Sequence, residues 1–112
     1  MLLNLDEIKK SQDVKISIVP MPEWGGDIKL KALNFCEQIH FEAERQKINN
    51  DSDLILLLLG LCIVDDNNTR IFDDQSMDIL KGKNASCLLR LFKACLELNS
   101  LDENSVEEKA KN

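Results

Sequence analysis

This chain of 112 residues is short of aromatics, prolines and basic charge, and each shortage narrows what it can be. Basic residues number 14 against 20 acidic ones, for a formal net charge of −6. There is therefore no electrostatic footprint for counterion-release binding to nucleic acid or for an anionic membrane, and protein partners are the expectation. The four cysteines, Cys36, Cys62, Cys87 and Cys95, form no CxxC pair and sit among apolar neighbours, the pattern of free thiols in a reducing compartment. The first residues, Met1 to Glu7, lack the basic start and apolar core of a signal peptide, so the protein is expected to stay where it is translated. The strongest apolar run, Leu54 to Val64, would make a helix only about 16 Å long against a hydrocarbon core of roughly 30 Å. It is predicted to be a buried helix and not a membrane span.

What is present gathers first in Pro20-Met21-Pro22-Glu23-Trp24-Gly25-Gly26-Asp27, which holds both prolines, the single tryptophan and two of the four glycines. Proline fixes φ and glycine admits positive φ, so this cluster predicts a wide, stiff loop between two strands. Before it, Val14, Ile16 and Ile18 alternate with Lys15, Ser17 and Val19. After it, Ile28 and Leu30 alternate with Asp27, Lys29 and Lys31, whose lysines would face solvent. An antiparallel hairpin follows. Trp24 is read as a plug against the core in preference to an exposed contact, because buried tryptophan is the norm.

The rest is helical in pattern. Asn4-x-x-Glu7 and Asn34-x-x-Glu37 are capping boxes, the second opening a helix whose stripe of Phe35, Ile39 and Ala43, flanked by Cys36 and His40, should face the core until about Lys47. The Asn49 to Ser52 loop leads into the Leu54 to Val64 helix. Asp65 to Arg70 stops it, and Asp73-Asp74 caps a short helix containing Met77, Ile79 and Leu80. A last long helix starts near Ala85, with Leu88, Leu91, Phe92, Cys95 and Leu98 at three- and four-residue steps, widened by Leu89 and Leu96. Ser105-Val106-Glu107-Glu108 offers a cap for one further turn. A two-stranded hairpin is marginal alone and needs covering. The fold class is accordingly α+β, mostly α by residue count: an N-terminal β-hairpin packed on a bundle of about four helices. The organisation is one domain over 1–112, with a short helix in 1–12, the hairpin in 14–31, the helical part in 34–98 and a polar tail in 99–112.

No catalytic set emerges. Asp65 to Thr69 begins like an EF-hand loop, but position six is Arg70 instead of glycine and position twelve is Ser76 instead of a bidentate glutamate. Cys36 and His40 lie four apart on one helix, yet two ligands make no zinc site and a nucleophile needs a base and an orienting group as well. Gly25-Gly26 lacks phosphate-loop spacing, and the paired carboxylates fall at helix ends, where capping explains them. No cofactor or metal is expected.

The order of these features resembles that of the small tail assembly chaperones of long-tailed bacteriophages and prophages. The parts that carry the resemblance are Pro22-Glu23-Trp24-Gly25-Gly26-Asp27, the Phe72-Asp73-Asp74…Leu80 block, and Ser86…Leu88…Leu91-Phe92, within a match running from about Val14 to Asn112. Asn67-Asn68 stands where an Asp-Gly turn would be expected, a change asparagine can absorb because it tolerates left-handed backbone. The resemblance implies a non-enzymatic protein of the bacterial host cytoplasm that coats the phage tape measure protein until tail tube subunits replace it. It further implies self-association and a longer form made by translational frameshifting. Candidate contact residues are Pro22, Glu23 and Trp24 in the loop and Leu88, Leu91, Phe92 and Leu96 on the last helix. The alternative is a small cytoplasmic adaptor or antitoxin-like protein of a mobile element.

Overall fold

The computed structural model describes residues 1–100. In chain order they form α1 (Leu5–Lys10), β1 (Ile16–Met21), a 3-10 turn (Pro22–Trp24), β2 (Gly26–Lys31), α2 (Phe35–Lys47), α3 (Asp51–Cys62), β3 (Ile63–Val64), α4 (Met77–Lys81) and α5 (Ala85–Leu98). The architecture is α+β and mostly helical, as the residue pattern requires. The helix starts lie where their caps put them. Asn4 and Asn34 each close a full capping box, and the Asn84 side chain accepts from the N–H groups of Ser86 and Cys87. The Ser105 to Glu108 cap lies outside the described residues.

Three features depart from the sequence expectation. The loop is shorter than Pro20 to Asp27: β1 runs through Pro20 to Met21 and β2 begins at Gly26, leaving Pro22–Gly25 to turn. Pro20 is tolerated because β1 is the edge of a sheet ordered β1-β2-β3, and Gly25 takes the left-handed conformation at φ 82°. The apolar run is also not all helix. α3 ends at Cys62, and Ile63 and Val64 form a third strand antiparallel to β2, opposite Leu30 and Lys29. The turn after it is held by the Asp65 carboxylate, which accepts from the N–H groups of Asn67 and Thr69, with Asn68 left-handed at φ 63°. Asparagine thus does there what Asp-Gly would do.

The third departure matters most. The register sets Val19 opposite Ile28, Ser17 opposite Leu30 and Met21 opposite Gly26, and this is the face turned to the helices. Met21 and Leu30 are fully buried, whereas Ile16 and Ile18, expected inside, are 39% and 55% exposed beside Lys29 and Lys31. Both faces of β1 are apolar, so alternation alone could not choose between them; Met21, placed in the loop by the sequence reading, joins Val19 and settles the inward face. A similar inversion occurs in α2. Its core contact is Phe41, while Phe35 is 78% and Ile39 53% exposed, with Cys36, His40 and Ala43 also on the solvent side. The Lys31–Glu37 ion pair at 2.9 Å ties the start of α2 to β2, and within the helix the Arg45–Glu42 pair lies largely covered and buries its stems.

The core lies between the inner face of the sheet and α3, α4 and α5. It joins Val19, Met21 and Leu30 with Phe41, with Leu58, Leu59, Leu61 and Cys62 of α3, with Leu80, and with Cys87, Leu91, Cys95 and Leu96 of α5. Gly60 sits where α3 must admit its neighbours: a Cβ there would come within 3.1 Å of Met77 Sδ, and Arg70 Nε donates to the Gly60 carbonyl at 2.7 Å. Asn99, just past α5, accepts from the Leu33 N–H and donates to the Cys95 carbonyl, both at 2.8 Å, tying the β2–α2 connection to the end of α5. No helix among the described residues is long and apolar enough to cross a membrane.

The register carries a stability test. Leu30→Ala removes a fully buried side chain and should cost about 2–5 kcal/mol in urea unfolding, whereas Ile18→Ala should stay within about 0.5 kcal/mol. Equal costs would mean the hairpin faces the other way.

Candidate interaction surfaces

The turn between β1 and β2 is docked on the N-terminal half of α5 by a small polar cluster. Arg90 forks onto Glu23, with Nη2 to Oε2 at 2.5 Å and Nη1 to Oε1 at 3.2 Å, and the same Nη1 lies 3.6 Å from Met21 Sδ. The Cys87 thiol approaches Glu23 Oε2 at 3.5 Å. The Arg90 hydrogen bonds, followed by the residue's own backbone N–H, hold the Glu23 carboxyl at about 2, well below its ordinary 4.5. Burial, reinforced by Glu23, pushes the Cys87 thiol up, which keeps it protonated and unreactive.

Trp24 is half-buried: its ring packs against the core cluster while Lys83 Nζ stands 5.9 Å from its centroid. It is both a partial plug and a partly accessible surface. Pro22 and Glu23 are exposed beside it. The candidate set on α5 divides as well. Leu91 and Leu96 are buried and belong to the core; Leu88 and Phe92 are half-buried at its margin. Leu88 lines an apolar cleft of about 300 Å³ with Ile55, Leu56, Ala85, Leu89, Ser52 and Lys81, the last paired with Asp78 at 3.3 Å.

Two apolar surfaces sit where the sequence had placed core. One is the outward stripe of Phe35 and Ile39 on α2; the other is the outer sheet face of Ile16 and Ile18, continuous in sequence with Val14 and with Leu5 and Ile8 of α1. α1 itself buries no residue. The signal that could have found these was present: α2 has Phe41 on the face opposite Phe35 and Ile39, and only one of the two can be inside.

Cys62 and Cys95 are buried together, with Asn99 Nδ2 at 3.7 Å from Cys62 Sγ, and the hydrogen bond to Cys62 and burial push the Cys95 thiol far up. Cys36 and His40 are exposed, and among the described residues no group of three His, Cys, Asp or Glu side chains could hold a metal ion. The Asp73 carboxyl is held down by the Ser76 hydroxyl and N–H in a turn that leads into α4.

The class of fold is a three-stranded antiparallel sheet covered on one face by helices, with a docked Pro-x-Trp-Gly turn. No protein-family model matches the sequence, and no curated protein does. The same fold is found in the solved structure of the bacteriophage HK97 tail assembly chaperone, with a TM-score of 0.60 at 15% sequence identity, covering 84% of this chain and 91% of that one.

The Glu23–Arg90 fork gives a pH signature with a defined sign. Because the folded carboxyl titrates near 2 and the free one near 4.5, its contribution is complete above about 4.5 and is lost as pH falls towards 2. Thermal unfolding of the parent should therefore lose more stability between pH 5 and 2 than Glu23→Gln does. Parallel curves would show the fork to be screened out by solvent.

Proposed function

We propose that the chain is a phage or prophage tail assembly chaperone, a non-enzymatic protein that holds the tape measure protein in soluble form during tail morphogenesis in the bacterial host cytoplasm. The observation that carries this reading is the likeness to the HK97 tail assembly chaperone over most of both chains. The surface supports it: holding a long helical client needs exposed apolar stripes on a stable body, and α2 presents Phe35 and Ile39 on a helix whose core contact is made elsewhere.

In this reading the client lies along apolar surface that the protein does not need for its own stability. Phe35 and Ile39 supply one stripe, and Pro22, Trp24 and Phe92, beside the Glu23 fork, supply another. Modest patches favour release, since affinity follows a few well-buried anchors and not total area. Release is what replacement by tail tube subunits requires. The partner set accordingly includes the tail tube protein, a frameshifted longer form of the chain and further copies of itself.

Co-expression with the tape measure protein encoded nearby should raise that protein's soluble yield and give a complex on size exclusion. The double variant Phe35→Asp/Ile39→Asp should keep parental stability, because both side chains are exposed, and lose most of the effect. Unchanged client solubility with the parent chain would contradict the reading.

A further inference from the structure

α2 keeps Phe41 inside and leaves Phe35, Cys36, Ile39, His40 and Ala43 along its outer side, a largely apolar stripe with no carboxylate on it. The acidic side chains of this helix are engaged elsewhere, Glu37 with Lys31, Glu42 with Arg45 and Glu44 with Lys47. All five residues of the stripe are exposed among the described residues.

The chain leaves the described body at the foot of this stripe. Asn99 follows α5 and accepts the Leu33 N–H on its side-chain oxygen at 2.8 Å, two residues before Phe35. Ser100 then donates its N–H to the Glu97 carbonyl at 3.1 Å and turns left-handed at φ 57°, the conformation that reverses a chain at a helix end. Twelve residues follow, Leu101 to Asn112, with four acidic and two basic side chains and apolar residues at Leu101, Val106 and Ala110. Val106 and Ala110 repeat the four-residue step of Phe35 and Ile39. As a helix, twelve residues span about 18 Å, against about 6 Å between Phe35 and Ile39 along α2.

We infer that residues 101–112 fold back from Ser100 onto the outer side of α2 and cover Phe35 and Ile39 with Val106 and Ala110. Reach selects this occupant. The stripe begins where the segment starts, and a segment tethered there has an effective concentration on the order of millimolar, above that of a free partner. Charge agrees: Asp102 and Glu103 come first, beside the N-terminal end of α2, where the helix dipole favours acidic charge, and Lys109 and Lys111 come last, towards its C-terminal end. Under the chaperone reading above, the segment competes with the client for the stripe and is displaced by it. That consequence rests on the reading; the docking does not.

Cys36 reports on the docking, because it lies on the stripe and is the one exposed thiol, Cys62, Cys87 and Cys95 being buried. In the full chain it should react with N-ethylmaleimide roughly tenfold more slowly than in Val106→Asp/Ala110→Asp, as expected where the docked form outnumbers the free one by about ten to one. The slowing should persist on dilution, and the buried thiols should stay unreactive in both proteins, which reports an intact body. Equal rates at Cys36 would overturn the docking, as would a slowing that vanishes on dilution, which would make a second copy the occupant. The Ile39 methyl gives a second readout: a soluble paramagnetic agent should relax it more in the variant than in the parent, and equal relaxation would contradict the contact. With the tape measure protein co-expressed, the variant should match or exceed the parent's soluble client yield; a lower yield would mean that the segment holds the client instead of competing with it. A client unaffected by either chain, with Cys36 still shielded, would support the docking and contradict the chaperone reading alone.

Discussion

The structure depends on which face of the first hairpin is turned inward. Val19, Met21 and Leu30 meet α3 and α5, and the 3-10 turn at Pro22–Trp24 is pinned to α5 by the Glu23–Arg90 fork, which lies over Met21. A strand's side chains alternate strictly, so this choice forces Ile16 and Ile18 to the outside along the whole of β1. β3 then completes the sheet by pairing Ile63 with Leu30, which carries α3 onto the inner face. The same decision that builds the core therefore leaves an apolar face uncovered among the described residues.

Much of the architecture was legible in the residues. Asn4, Asn34 and Asn84 mark helix starts because a short side-chain carbonyl satisfies the first free N–H groups, and that is local chemistry. The last helix was legible from its stripe, and the hairpin from its turn. What failed were decisions between two apolar alternatives. β1 has Ile16 and Ile18 on one face and Val19 and Met21 on the other; α2 has Phe35 and Ile39 against Phe41. Patterning identifies the element in such cases but not its roll, which is set by distant partners such as Lys31 on Glu37 and Arg90 on Glu23. β3 was hidden for a related reason, since a continuous apolar run does not separate a buried helix from a buried strand. Of the candidate contact residues, Pro22, Glu23 and Trp24 lie at the surface or half out, whereas the helical stripe that revealed α5 is the stripe it buries, so Leu91 and Leu96 became core.

An acidic body with uncovered apolar stripes combines two properties that oppose each other. Net charge of one sign opposes indiscriminate association, while exposed side chains offer weak, reversible contact to a helix of suitable pattern. The proposed chaperone role calls for this balance, because a larger apolar face would aggregate and a smaller one would not hold a client. The buried thiols and the capped, well-filled core serve the body, which must keep its shape whether or not the stripes are occupied.

The central claim is that β1 turns Ile16 and Ile18 outward. Methyl-labelled isoleucine with a soluble paramagnetic relaxation agent tests it directly, with the protein dilute enough to be a single copy. Strong relaxation at Ile16 and Ile18 and almost none at Ile63 is the predicted result. Protection of Ile16 and Ile18 in the dilute protein, comparable to that of Ile63, would contradict it.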